Sequence, residues 1–196
     1  MLLRAVTGAC LLTASIALSS SHVAMVAGQT PTPTLTPTPS TRPDVIWIPS
    51  DDRVVTAMLK LAHVTKTDVV YDLGCGDGKI VIAAARDFGA RGVGIEIDPA
   101  QVKAANAAVK KAGVADRVTI VQGNFFDASV KISDATVVTL FLLQSLNEKI
   151  RPRLQAELQP GARIVSNAFH MGNSWPADKS EDVGNSTIYL WTIGKR

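Results

Sequence analysis

A chain of 196 residues with 46% hydrophobic and 19% charged residues carries enough apolar material for one sizeable core and lacks the composition of a disordered chain. Its formal net charge of +3 argues against a general nucleic-acid-binding surface. With two cysteines, Cys10 and Cys75, a disulfide framework is excluded once a leader carrying Cys10 is removed.

Residues 1–28 start with a basic Arg4, continue through an apolar stretch over residues 5–18 and end on the small residues Val26-Ala27-Gly28. That is the pattern of a signal peptide cut before Gln29. An uncleaved N-terminal anchor stays open, although Thr7, Gly8, Thr13 and Ser15 interrupt a stretch already short for a membrane span. Residues 29–43, QTPTPTLTPTPSTRP, alternate threonine and proline, favour extended backbone and read as a linker. The folded domain is therefore expected over residues 44–196. Its expected location is exported, periplasmic or secreted, or anchored at a membrane by the N-terminal segment.

DVIWIPS, residues 44–50, precedes a helix for which Ser50 is the expected cap, with Asp51 and Asp52 in the first turn. Val55, Met58, Leu59 and Ala62 fall on one face of that helix. Trp47 and Ile48 read either as a lid over a site or as core. A buried strand is expected over residues 69–73, followed by a glycine-rich turn and a helix with Ile80, Ala84 and Phe88 on one face, closed by Gly89. Residues 91–97 make a second strand. Asp98 then caps a helix with Pro99 at its first position and Val102, Ala105, Val109 and Ala112 as its stripe.

A third strand is expected over residues 118–121. The nearly unbroken apolar run ATVVTLFLL, residues 135–143, suits a central strand covered on both faces. Ser145 with Glu148 has capping-box spacing, and Pro152 is expected to break or restart the helix carrying Leu154 and Leu158. Further strands follow over residues 163–169 and 187–193. Alternation of strand and helix predicts an α/β domain: a Rossmann-like, doubly wound, mostly parallel sheet of seven strands, possibly six.

The turn after the first strand reads Asp72-Leu73-Gly74-Cys75-Gly76-Asp77-Gly78, and the second strand ends in the acid Glu96. A glycine turn at a helix N-terminus faces its backbone N–H groups to a ligand. Dinucleotide-binding turns space their glycines differently, and a pyrophosphate is repelled by carboxylates at Asp72 and Asp77. A cationic ligand is attracted by them. Cys75 reads either as a small residue fitting the turn or as a reactive thiol beside a cofactor.

DLGCGDG followed by GIEID resembles motif I and its acidic partner in class I S-adenosylmethionine-dependent methyltransferases. The resemblance implies S-adenosyl-L-methionine as cofactor, a ligand with ammonium and sulfonium centres and no phosphate. It implies that Asp72 and the backbone of Gly74, Cys75, Gly76 and Gly78 hold the methionine part, and that Glu96 bonds the ribose hydroxyls. Ile97 would then pack on the adenine, with Asn124 and Phe125 at its edge. No metal site is assigned.

IWIPS, VVTLFLLQSLN, LQPGARIVSNAFHMG and the late IYLW together resemble the lysine methyltransferases of adenine nucleotide translocase and of the ATP synthase c-subunit, with their prokaryotic relatives. Relatives usually carry threonine in place of Ser50, an acid in place of Asn124, and His and Asp in the stretch where this chain has Asn167 and His170. The resemblance implies protein-lysine N-methylation. A small-molecule methyltransferase, or a cofactor-binding module without catalysis, stays open beside it.

Methyl transfer is an in-line displacement, so the protein has to align donor and acceptor and exclude water. The Asn/Asp-Pro-Pro-aromatic signature of base-modifying amino methyltransferases is replaced by Leu140-Phe141-Leu142-Leu143. The expected substrate channel comprises Trp47, Ser50, Phe141, Leu143, Asn167 and Phe169, an apolar setting that favours a neutral amine. His170, near the end of a central strand, is the candidate base. The expected partner is a methyl-acceptor protein or small molecule, not nucleic acid, with membrane association through the N-terminal segment and a monomeric state.

Overall fold

The computed structural model describes residues 51–195. The leader, the linker, Trp47 and Ser50 lie outside the described residues. Helix α1 spans Asp52–Leu61, and its cap is Asp51, whose carboxylate accepts from the Arg53 N–H. The start is thus one residue later than the expected Ser50 cap. A carboxylate serves the dipole at least as well as a hydroxyl.

The elements then alternate: β1 Val69–Leu73, α2 Lys79–Phe88, β2 Arg91–Glu96, α3 Pro99–Lys111, β3 Val118–Gln122, β4 Val137–Leu140, α4 Gln144–Glu157, β5 Arg163–Asn167, β6 Lys179–Val183 and β7 Ser186–Thr192. They form one seven-stranded sheet in the order β3-β2-β1-β4-β5-β7-β6. Strands β1 to β5 pair in parallel, and β7 runs antiparallel between β5 and β6. The expected doubly wound α/β sheet is present with seven strands. The one that periodicity did not show is β6, whose sequence KSEDV is charged and exposed at the sheet edge.

Strand alternation sends successive side chains to opposite faces. Val70, Val137, Val165 and Ile188 pack with Val55, Met58 and Leu59 of α1 and with Ile80 and Ala84 of α2. Tyr71, Leu73, Val138, Leu140, Ile164 and Trp191 pack on the other face with Ile150 and Leu154 of α4. At the lower edge of the sheet Asp68 accepts from the Thr136 hydroxyl at 2.7 Å, the Thr65 N–H at 2.7 Å and the Arg163 guanidinium. Burial pushes the Asp68 carboxyl up, but these bonds outweigh it and hold the group below its ordinary range.

Three boundary differences shape the top of the sheet around β4 and β5. β4 ends at Leu140, paired with Leu73, because β1 turns away at Gly74 and offers no further partner. Phe141 to Leu143 therefore leave the ladder at the top of the sheet. β5 ends at Asn167 rather than at residue 169, because Ala168 takes a left-handed φ of 65°. α4 begins at Gln144 behind Leu143, with no side-chain cap, so the Ser145/Glu148 capping box does not form.

Pro152 also lies inside α4 without breaking it. Pro152 and Glu148 are both exposed, so the carbonyl four residues back that the ring deprives of a donor is on the wet side of the helix. Asn147, Ile150 and Leu154 hold the other face in the interior.

Candidate active site

In open α/β sheets, ligands sit beyond the C-terminal strand ends where the strand order reverses. Here that place lies between β1 and β4, so Gly74 to Gly78 and Phe141 to Leu143 border one crevice. The turn has positive φ at Gly74, Gly76 and Gly78, 82°, 52° and 79°, conformations that favour glycine. A side chain at Gly74 would meet Leu142 at 3.2 Å and Phe125 at 3.7 Å, so the backbone itself forms the cradle.

Three carboxylates surround the turn. Asp72 is 3% exposed at the end of β1 and accepts from the Thr139 hydroxyl at 2.8 Å. Burial raises its pKa to about 7, the Thr139 bond lowers it in part, and the charges of Glu96 and Asp77 raise it further. Glu96, at the end of β2, is buried. Its Oε1 accepts from the Ile97 and Asp98 N–H groups at 2.8 and 2.9 Å, and its Oε2 from the Gly76 N–H at 2.9 Å. A carboxylate has about four acceptor positions, which leaves Oε2 able to take another donor.

Cys75 is buried. Burial and the nearby Asp72 and Glu96 charges push its thiol far above the ordinary range. Gly94 of β2 makes room for it: a Cβ there would lie 2.6 Å from the Cys75 Sγ. The thiol fills the turn, and the reactive reading finds no support in this environment.

Ile97 is half-buried at the mouth of β2. Asn124 folds its side chain onto the Phe126 N–H at 2.9 Å, and Phe125 stacks against Phe126 with ring centroids 4.6 Å apart. Sequence reasoning missed what holds this loop. Arg153 of α4 donates to the Asp127 carbonyl at 3.0 Å and to those of Phe125 and Val130, and pairs with Glu157 one turn on at 2.8 Å. The Arg153/Glu157 spacing was visible in the sequence, but its reach to a distant loop was not. Thr139 was missed too, although it is one of two threonines that interrupt the apolar run around β4.

On the β4 and β5 side, Phe141 is half-buried and Leu143 is 48% exposed, the one large hydrophobic side chain so open among the described residues. Asn167 is buried and accepts from the Ser186 hydroxyl, while Phe169 is half-buried. His170 is exposed, and its Nδ1 accepts from the Gly172 N–H at 2.9 Å with the Gln144 amide nitrogen 3.2 Å away. A neutral ring so bonded carries its proton on Nε2 and has no free lone pair. In this arrangement the ring braces the loop.

Residues 72–179 match the family model for the ANTKMT methyltransferase domain. The chain belongs to this methyltransferase family. A protein-lysine N-methyltransferase from Saccharolobus islandicus is 47% identical over 157 residues, which cover 78% of this chain and 96% of that protein. An adenine nucleotide translocase lysine N-methyltransferase from Mus musculus is 33% identical over 122 residues, which cover 62% of this chain and 51% of that relative's length. Among solved structures, an RNA methyltransferase from Salinibacter ruber in complex with S-adenosyl-L-homocysteine is 54% identical, with a TM-score of 0.73, covering 76% of this chain and 95% of that one. In this methyltransferase, then, the crevice at the glycine turn and the Phe141 to Leu143 corner are the two halves in which cofactor and acceptor are to be sought.

Proposed function

We propose that this methyltransferase uses S-adenosyl-L-methionine to N-methylate lysine side chains of a protein. The observation that carries the acceptor is the 47% identity to a protein-lysine N-methyltransferase over nearly all of that relative's length. The cofactor reading is supported by the donor set. Asp72, Asp77 and Glu96 make the turn acidic, which suits a ligand with cationic centres and opposes a pyrophosphate.

When bound, the cofactor supplies a methyl group activated by a sulfonium centre. Asp72 and the Gly74 to Gly78 backbone would hold its methionine part, Glu96 Oε2 its ribose, and Ile97, Asn124 and Phe125 its adenine. Phe141, Leu143 and Phe169 supply apolar walls that desolvate an amine and favour its neutral, nucleophilic form. With the His170 lone pair engaged, the lysine proton goes to solvent before the amine is enclosed.

The Salinibacter ruber protein gives a second reading, RNA as acceptor. The Leu140 to Leu143 corner speaks against an exocyclic base amine as that acceptor, because it lacks the polar Asn/Asp-Pro-Pro-aromatic group that grips one. Labelled-methyl transfer from purified protein into separated protein and RNA fractions of a lysate tests both. Mass spectrometry should place the label on lysine. Label in RNA, or only in small molecules, overturns the acceptor assignment; tight cofactor binding with no product anywhere favours a non-catalytic module.

We also propose that residues 1–28 are a leader or anchor that places the domain outside the cytosol. Fractionation with N-terminal sequencing checks this: a mature chain starting at Gln29 supports cleavage, and a cytosolic chain starting at Met1 overturns it.

A further inference from the structure

Where β5 ends, the backbone makes a three-residue turn centred on Ala168: its φ is 65°, and the Phe169 N–H bonds the Asn167 carbonyl at 2.9 Å. This is the γ-turn of the strained hand, uncommon for any residue and more so for one with a Cβ. Such a conformation persists where its surroundings over-determine it, and those places cluster at functional sites. Here the Ala168 N–H bonds the Thr187 carbonyl of β7 at 2.9 Å, and the Asn167 side chain is held by Ser186.

The remaining tie comes from α4. Asn147 is fully buried, and its Nδ2 donates both to the Ser166 hydroxyl and to the Phe169 carbonyl, each at 3.0 Å. One amide nitrogen therefore spans the turn, gripping the residue before Asn167 and the residue after Ala168. Its Oδ1 is buried with no partner among the described residues. An unpaired buried acceptor is costly, and an apolar side chain of similar shape would fill the space without it. The polarity serves the two donated bonds.

The position of the turn gives those bonds a use. It lies at the C-terminal end of β5, next to β4, across the crevice from the glycine turn, and it carries Phe169. We infer that Asn147 is a positioning residue: its amide clamps the strained turn at Ala168 and thereby sets where Phe169 stands against the methyl acceptor. This rests on the reading above that the β4 and β5 ends form the acceptor side.

Asn147→Asp keeps the shape and removes the donors, and Asn147→Ala removes the group. For both, kcat/KM for the acceptor should fall at least tenfold while the cofactor Kd stays within about twofold. A buried carboxyl regains one donor when protonated, so the ratio of Asn147→Asp to wild-type kcat/KM should rise as pH falls. Ala168→Gly serves if either variant does not fold. Glycine suits the backbone angle but loosens the turn, so the protein should fold, bind cofactor normally and show a raised acceptor KM. Hydrogen exchange gives a readout free of activity: amides of residues 166–172 should exchange faster in Asn147→Ala, and those of residues 74–78 unchanged. Unaltered acceptor kinetics, or acceptor and cofactor affinity falling together, or unchanged exchange at residues 166–172, overturns the inference. Failure of the wild type to methylate lysine would instead sink the reading of function, and the exchange result would still judge the clamp.

Discussion

The Thr139 hydroxyl donates to the Asp72 carboxylate at 2.8 Å across the boundary between β1 and β4. This joins the strand that feeds the glycine turn to the strand that leads to Phe141, at the place where the strand order reverses. Asp72 has its pKa raised to about 7, well above the 3.8 of an unhindered carboxyl. The folded state therefore keeps a proton that the unfolded state loses. The stability this group contributes is full below pH 3.8 and lost as pH rises through about 7. Asp72→Asn should remove that slope and raise the Tm of the cofactor-free protein at pH 7.5 by several degrees, on the order of a few kcal/mol, while weakening cofactor binding about a hundredfold or more. In the wild type, affinity should weaken about tenfold per pH unit below the Asp72 pKa. Calorimetry from pH 5 to 8 decides; equal binding by wild type and Asp72→Asn would falsify the assignment.

Glu96 accepts three backbone N–H groups, one in the glycine turn and two at the entrance to α3. Glu96→Ala leaves all three without their acceptor, and bonds to a charged group contribute about 1.5 to 3 kcal/mol each at most. The expected result is a Tm lower by several degrees and cofactor affinity lower by roughly a hundredfold. Glu96→Gln, which keeps one accepting oxygen, should recover part of the stability and little of the affinity. Titration calorimetry showing wild-type affinity in Glu96→Ala would remove Glu96 from the cofactor site.

Gly94 and Cys75 fit each other across the first strand crossing. With the Cβ of an alanine 2.6 Å from the Cys75 Sγ and 2.9 Å from the Ile120 Cδ1, Gly94→Ala should cost about 1–3 kcal/mol by overpacking. Adding Cys75→Ala should recover part of that cost, because it removes the nearer atom. Denaturant melts of the two single variants and the double variant give the coupling. Additive losses would mean that the two residues do not share this space.

Asp68 sits at the opposite end of the sheet from the crevice, tied to Thr65, Thr136 and Arg163. Removing it leaves a partly buried Arg163 unpaired, so Asp68→Ala should cost about 3 kcal/mol and leave the cofactor Kd unchanged. Its pKa is held below 3.8 in the folded state, so its contribution is present above that value and lost as acid takes pH beneath it. Acid unfolding of wild type and Asp68→Asn should therefore converge toward low pH. A wild-type midpoint in Asp68→Ala at pH 7 would show that the ion pair adds nothing.

The sequence alone placed the glycine turn and the acid-bearing strand ends of this methyltransferase, because their determinants are local. Asp72, the three glycines and Glu96 each stand at a strand end or in a glycine turn that local pattern makes legible. Periodicity likewise placed five parallel strands, whose buried faces leave an apolar signature. It missed β6, an edge strand with charged, exposed residues and no such signature. It also expected Pro152 to break or restart α4, since the packing that holds the helix together comes from elsewhere in the chain. The proposed acceptor side was decided by tertiary contacts. Whether His170 has a free lone pair depends on Gly172 and Gln144, and the aim of Phe169 depends on Asn147 of α4. The Asn124 and Phe125 loop depends on Arg153. Apart from the local Gly172 bond, each of these is a hydrogen bond from a residue of α4, made only when that helix folds over the sheet, and no spacing along the chain records it.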